Sequence, residues 1–163
     1  MNLKKYPKII IMALAALAAS GCEDDYCVDW YPVDVNFYVQ DPYGNDCLEP
    51  LSNSYIGELL RLTYLGEDYM YNPDTKFYMP EFSGLTITKN RSTGKYMASF
   101  GELDGAKDYD EDFIITFPDG SSRKIHYDRT VNLKSIKAEE QWYLDGEKVE
   151  TPITITYSPS LIY

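Results

Sequence analysis

The chain has 163 residues, 26 acidic against 15 basic side chains and a formal charge of −11. That length supports one domain with a core of its own. The acidic balance excludes nucleic acid as a natural partner, because phosphate is repelled within a Debye length.

Taken in order, the chain opens on Lys4, Lys5 and Lys8 and continues in an apolar run from Ile9 to Ala19. A basic start before about a dozen apolar residues is the pattern of a secretory signal. The run is too short to cross the hydrocarbon of a bilayer, which takes about 20 residues. It ends in Ala19-Ser20-Gly21-Cys22, and Glu23, Asp24 and Asp25 follow directly. An apolar helix packed in a core would not continue into acids; an ordinary signal peptide with a soluble product is the plainer alternative.

Ser20-Gly21-Cys22 resembles the lipobox of bacterial lipoproteins, in which a small residue pair precedes an obligatory cysteine. Alanine stands at position 19, where that family most often has leucine. The resemblance implies a lipoprotein signal peptide over residues 1–21, and Cys22 as the first mature residue, carrying a thioether-linked diacylglycerol and an acylated (palmitate-type) amine. At about 0.8 kcal/mol per buried methylene one chain anchors marginally and two or more stably, so the mature protein is expected to be anchored to its membrane without spanning it. Glu23-Asp24-Asp25 is similar to the export signal of Bacteroidota lipoproteins, which implies the outer face of the outer membrane. The same acids also read as the start of a solvated tether over residues 22–31, and in some other bacteria an acid beside the cysteine favours inner-membrane retention. Surface exposure on the outer membrane is therefore the expectation, with the periplasmic face as the alternative. Loss of residues 1–21 removes three lysines and no acid, leaving 142 residues at −14.

With Cys22 assigned to lipid, Cys27 and Cys47 remain. In an oxidising compartment they are either bridged, closing a loop of about 20 residues worth roughly 3 kcal/mol, or two free thiols. Together with the single histidine they fall short of the four ligands of a zinc site. No metal or other cofactor is expected.

From residue 32 onward the pattern is short alternating runs. Val33, Val35, Phe37 and Val39 alternate with Asp34, Asn36 and Tyr38, the period of a half-buried strand. A turn-rich loop over residues 40–50 follows. Leu60, Leu62 and Tyr64 then alternate with Arg61 and Thr63, and Gly66-Glu67 turns the chain into Tyr69-Met70-Tyr71. Phe77 to Phe82 is aromatic but interrupted by Pro80, which confines it to an edge strand or loop. Leu85 to Thr88 and Tyr96 to Phe100 form a hairpin across Asn90 to Gly94. Phe113, Ile115 and Phe117 lead through Pro118-Asp119-Gly120-Ser121 to Ile125, Tyr127 and Arg129. Gln141 to Leu144 ends in Asp145-Gly146, a pair suited to turns that need positive φ, and Ile153, Ile155 and Tyr157 close the chain.

Seven to nine short strands without helical period predict a single all-β domain over residues 32–163. The expected solution is an antiparallel β-sandwich of immunoglobulin-like or transthyretin-like kind, because each half-apolar sheet must cover its inner face. Phe100-Gly101-Glu102-Leu103-Asp104-Gly105 and the stretch from Asp112 to Gly120 resemble segments of small surface lipoproteins of Bacteroidota, a likeness that implies no activity and no functional residues.

Chemistry is sparse. His126, in Lys124-Ile125-His126-Tyr127-Asp128, alternates onto the face opposite Ile125 and Tyr127 and is expected to face solvent. No Gly-x-Ser-x-Gly nucleophile turn and no phosphate-binding glycine loop occurs. Asp104, Asp108, Asp110 and Asp112, with Glu111, form the densest acidic cluster. Alternating oxygens at 108, 110 and 112 suit calcium in principle, but the loop lacks the sixth-position glycine and twelfth-position bidentate acid of the EF-hand, and a solvated acidic loop before a strand is the alternative. Sixteen tyrosines are the compositional oddity. Tyr69, Tyr71, Phe77, Tyr78, Trp142 and Tyr143 form either an exposed aromatic patch for sugar rings or a protein partner, or half-buried sheet residues. The expected function is a non-catalytic binding or accessory module with a glycan or another envelope protein as ligand. A carboxylate-based carbohydrate-active enzyme and a structural subunit of a surface assembly are the alternatives.

Overall fold

The computed structural model describes residues 30–73 and 84–159. Within them lie ten strands: β1 (Val33–Gln40), β2 (Arg61–Tyr64), β3 (Glu67–Met70), β4 (Thr86–Lys89), β5 (Tyr96–Leu103), β6 (Tyr109–Thr116), β7 (Ser122–Asn132), β8 (Lys137–Leu144), β9 (Glu147–Val149) and β10 (Ile153–Thr156). Their order is β10-β1-β5-β4 in one sheet and β3-β2-β6-β7-β8-β9 in the other. Among the described residues the helical structure is one 3₁₀ turn, Gly57–Leu59. The protein is an all-β sandwich. Cys22, Cys27, Phe77, Tyr78 and Pro80 lie outside the described residues.

The period-2 runs account for the core. Val35, Phe37 and Val39 of β1, Leu62 and Tyr64 of β2, Phe113 and Ile115 of β6, and Ile125 and Tyr127 of β7 are all buried, each from the apolar side of its alternation. The sheets meet through rings: Phe100 of β5 lies 5.9 Å from Tyr64 and 6.2 Å from Phe113 in edge-on contacts, and Tyr64 stacks on Phe113 at 4.7 Å. Burying such side chains is worth about 1.5–3 kcal/mol each. Two hairpins turn on residue pairs with positive φ, Leu65-Gly66 (50° and 82°) and Asp145-Gly146 (53° and 89°), the geometry that matches strand twist.

The expected antiparallel sandwich is present with one refinement, and one other expectation needs correction. The sheets are not wholly antiparallel, because β10 pairs parallel to β1, with Phe37 opposite Ile153 and Gln40 opposite Thr156. The cause is connectivity: β10 follows β9 of the other sheet and arrives by crossing the sandwich, so no tight hairpin forces it to run against β1. The acidic stretch is only in part a loop ahead of a strand: Asp104 and Asp108 lie in that loop, whereas β6 begins at Tyr109 and contains Asp110, Glu111 and Asp112.

The registers also sort the connections into two ends. The start of β1 lies beside the end of β5, the 104–108 loop and the β7–β8 turn. The 41–60 loop and the turns at 90–95, 117–121 and 145–146 lie at the other.

Candidate functional site

The β6–β7–β8 ladder places Asp112 opposite His126 and His126 opposite Tyr143. Alternation then turns Asp110, Asp112, Lys124, His126 and Tyr143 to the outer face of the six-stranded sheet. His126 Nδ1 lies 3.0 Å from Asp112 Oδ1, and Nε2 lies 3.6 Å from Asp110 Oδ1. Lys124 Nζ donates to Asp112 Oδ2 at 3.0 Å, and the Tyr143 ring lies 5.6 Å from the imidazole. The histidine side chain is 29% exposed, so most of it is covered where the alternation alone predicts a solvent-facing ring. Leu65 and Glu111 complete an open depression of about 450 Å³ around the group. What it offers chemically is a held imidazole and ionised carboxylate oxygens to a polar ligand, on a surface where water competes.

Desolvation pushes the Asp112 carboxyl up, but hydrogen bonds from Lys124 and His126 outweigh it and hold the group below its usual range. A carboxyl whose folded pKa is lowered adds stability that is present above the unfolded value of about 3.9 and lost as pH falls through the folded value. Asp112→Asn is therefore expected to flatten the acid limb of the stability curve while leaving the shape above about pH 5 unchanged. Urea midpoints measured from pH 2 to 7 check this, and an unaltered acid limb would contradict it.

The remaining acids of the cluster serve other partners. Asp104 Oδ1 accepts from the Ala106 amide at 2.9 Å and its Oδ2 lies 3.6 Å from Lys107. Asp108 Oδ1 accepts from the Val131 amide at 2.6 Å. Among the described residues no three histidine, cysteine, aspartate or glutamate side chains are placed to hold a metal ion. The calcium-like spacing of 110 and 112 is the alternation of a strand.

The aromatic residues do not share one surface. Trp142 is buried and stacks on Tyr127 at 4.0 Å, while Tyr143, next in sequence, faces out and donates to Gln141 Oε1 at 2.7 Å. Tyr69 packs on Phe100 at 4.8 Å, and Tyr71 forms a bridge with Leu85. β3 and β8 are separated by three strands, about 19 Å at ordinary strand spacing. The patch expected from Tyr69, Tyr71, Trp142 and Tyr143 is thus dispersed, and Tyr78 lies outside the described residues. Cys47 is buried, its thiol pushed up by desolvation, and its Sγ lies 3.8 Å from the Asn45 carbonyl.

No protein-family model matches this chain, and no curated protein or solved structure does either.

One constellation was not visible in the motifs. Arg129, third inward-facing residue after Ile125 and Tyr127, is buried. Its Nη1 donates to Glu140 Oε2 at 2.9 Å and to the Tyr127 hydroxyl at 3.2 Å, and its Nη2 donates to the Gly105 carbonyl at 2.7 Å. The Trp30 ring lies over the guanidinium at 5.8 Å. Tyr127 also donates to Glu140 at 3.1 Å, and burial pushes its phenol up to about 12. A charge on the apolar side of Ile125-x-Tyr127-x-Arg129 was the available signal, because arginine is almost never fully buried unless paired. Arg129 ties the point where the chain reaches the sandwich to β8 and the 104–108 loop.

Proposed function

We propose that the protein is a lipid-anchored envelope protein, acylated at Cys22, whose β-sandwich acts as a non-catalytic binding or accessory module for a glycan or another envelope protein. The observation that carries this reading is the run from Lys4 through the apolar Ile9–Ala19 stretch to Ser20-Gly21-Cys22 and its acidic triplet. The start of β1 at Val33 is compatible with the tether expected over residues 22–31. The polar outer face around Asp110, Asp112, Lys124, His126 and Tyr143 is the surface that offers hydrogen-bonding groups to a ligand. The dispersal of Tyr69, Tyr71, Trp142 and Tyr143 supports a protein ligand over a glycan. On this reading the protein lies on the outer membrane, exposed at the cell surface.

Cys22→Ser is the test. The variant is expected to lose incorporation of labelled palmitate and either to leave the membrane fraction or to accumulate with residues 1–21 attached. Unchanged labelling and partitioning would refute the anchor.

A further inference from the structure

The end of the sandwich where the chain arrives is finished by the β7–β8 hairpin. Tyr109, the first residue of β6, pairs with Arg129, while Thr130, Val131 and Asn132 pair across the hairpin with Glu139, Ala138 and Lys137. At about 3.4 Å per residue the tip stands about 10 Å past Arg129, and so past the Trp30 ring that lies over it. The tip combines exposed apolar side chains with flanking lysines. Leu133 is 67% and Ile136 46% exposed. Ile136 has φ 52°, a left-handed conformation that a β-branched side chain adopts at a cost and that asparagine or glycine would adopt more easily. An exposed, strained isoleucine contributes nothing to the core. Lys134 and Lys137 flank it, and the stretch 132–138 contains no acid, although residues 22–163 carry −14. The first acids along the two strands are Asp128 and Glu139, and Asp108 reaches across from the 104–108 loop to accept from the Val131 amide. Tyr31, 87% exposed, stands at the same end of the molecule.

We propose that this tip seats in the headgroup layer of the membrane that holds the Cys22 acyl chains, with Leu133 and Ile136 reaching the acyl boundary and Lys134 and Lys137 on lipid phosphates. The inference rests on the anchoring proposed above. Even fully extended, the stretch from Cys22 to Trp30 spans at most about 29 Å, so the anchor keeps this end of the sandwich close to the bilayer surface. Short apolar side chains flanked by lysines suit the headgroup boundary, where the stem packs on lipid and the ammonium stays in water. The 90–95 turn at the opposite end also carries cations, Lys89, Arg91 and Lys95, in an acid-free run, so the short connection to Cys22, and not charge, selects this tip. The domain is then held upright, with the 41–60 loop and the 117–121 turn pointing away from the membrane.

The acylated full chain, reconstituted into phosphatidylethanolamine–phosphatidylglycerol vesicles with brominated acyl chains, tests this. Tryptophan emission added by Ile136→Trp is expected to be quenched about twofold more than that added by Leu51→Trp at the opposite end. Equal quenching at the two positions, with the parent chain floating on the vesicles and Cys22→Ser not floating, would overturn the seat and leave the anchor standing. If Cys22→Ser floats like the parent, the anchor fails; the seat then stands only on greater quenching at Ile136→Trp, and equal quenching overturns it as well. A blue shift of the added emission that needs no vesicles and grows with protein concentration would assign the tip to a second copy of the chain and overturn the membrane seat.

Discussion

Gly105→Ala is expected to destabilise the domain by about 3 kcal/mol, at the upper end of what one added methyl costs in a packed site. A Cβ at position 105 would run into the Tyr31 carbonyl and come within 3.2 Å of Trp30 Cβ. Backbone on one side and a ring-bearing residue on the other leave little room to yield. If the 104–108 loop moves instead, the Gly105 carbonyl leaves Arg129 Nη2, its 2.7 Å donor, and a buried guanidinium loses a partner. Where the Trp30–Tyr31 segment gives way, the Trp30 ring leaves its position over Arg129; where the loop moves, the guanidinium beneath the ring loses its anchor, so both routes alter the ring's surroundings. Urea unfolding should show the lowered midpoint, and Trp30 emission in the native state should shift to the red; a native midpoint with unchanged emission would mean that the Trp30–Tyr31 segment does not lie on Gly105.

Glu140→Ala should cost about 2 kcal/mol and Arg129→Met only about 1 kcal/mol, an inequality set by which partner is left in the dry site. The Arg129 side chain is 7% exposed and that of Glu140 47%. Removing the glutamate strands a cation away from water. Removing the arginine leaves a carboxylate that rehydrates, a Tyr127 hydroxyl that still donates to Glu140, and a methionine that fills the vacated volume. The loss is then confined to the Gly105 carbonyl and the contact with the Trp30 ring. Denaturant curves of the two variants decide the matter, and a costlier Arg129→Met would show that the hydrogen bonds to Gly105 and Tyr127 outweigh the desolvation of the charge. Because Gly105 and Arg129 share a contact, Gly105→Ala combined with Arg129→Met should cost less than the sum of the single changes.

What the sequence made legible was what alternation and turn chemistry encode locally. Val35, Phe37 and Val39, Phe113 and Ile115, and the Asp145-Gly146 turn stand where the period-2 pattern and positive φ place them. The alternation tells which face of a strand is apolar without telling which strand lies beside it. For that reason the parallel β1–β10 pair was not legible, nor was the separation of Tyr69 from Trp142 across the sheet. The acidic cluster misled for a related cause. Charges at alternate positions look like a loop, yet a strand whose outer face is wet carries them without penalty, and Asp110 and Asp112 sit in such a strand. Arg129 was hidden by the opposite prejudice: its inward position follows from the spacing after Ile125 and Tyr127, but its tolerance depends on Glu140, Gly105 and Trp30, which come together only in the folded chain. The outer-face site was half legible, since His126 was placed on the right face while its flanking by Asp110 and Asp112 needed the β6–β7 register.

The parallel pairing of β1 with β10 also governs the order in which the domain can form. Among the described strands, Phe37 and Val39 belong to the first to leave the ribosome, and their cross-strand partners, Ile153 and Ile155, to the last. Until those arrive, one side of β1 has no hydrogen-bonding neighbour, and the four-stranded sheet stays open along a hydrophobic edge of the kind that pairs with other chains. The hairpins β2–β3, β4–β5 and β6–β7–β8 can close early from local contacts, so the last event is the joining of distant segments, the slow step of folds rich in long-range pairing. The four-stranded sheet is therefore built to remain incomplete until β10 joins β1.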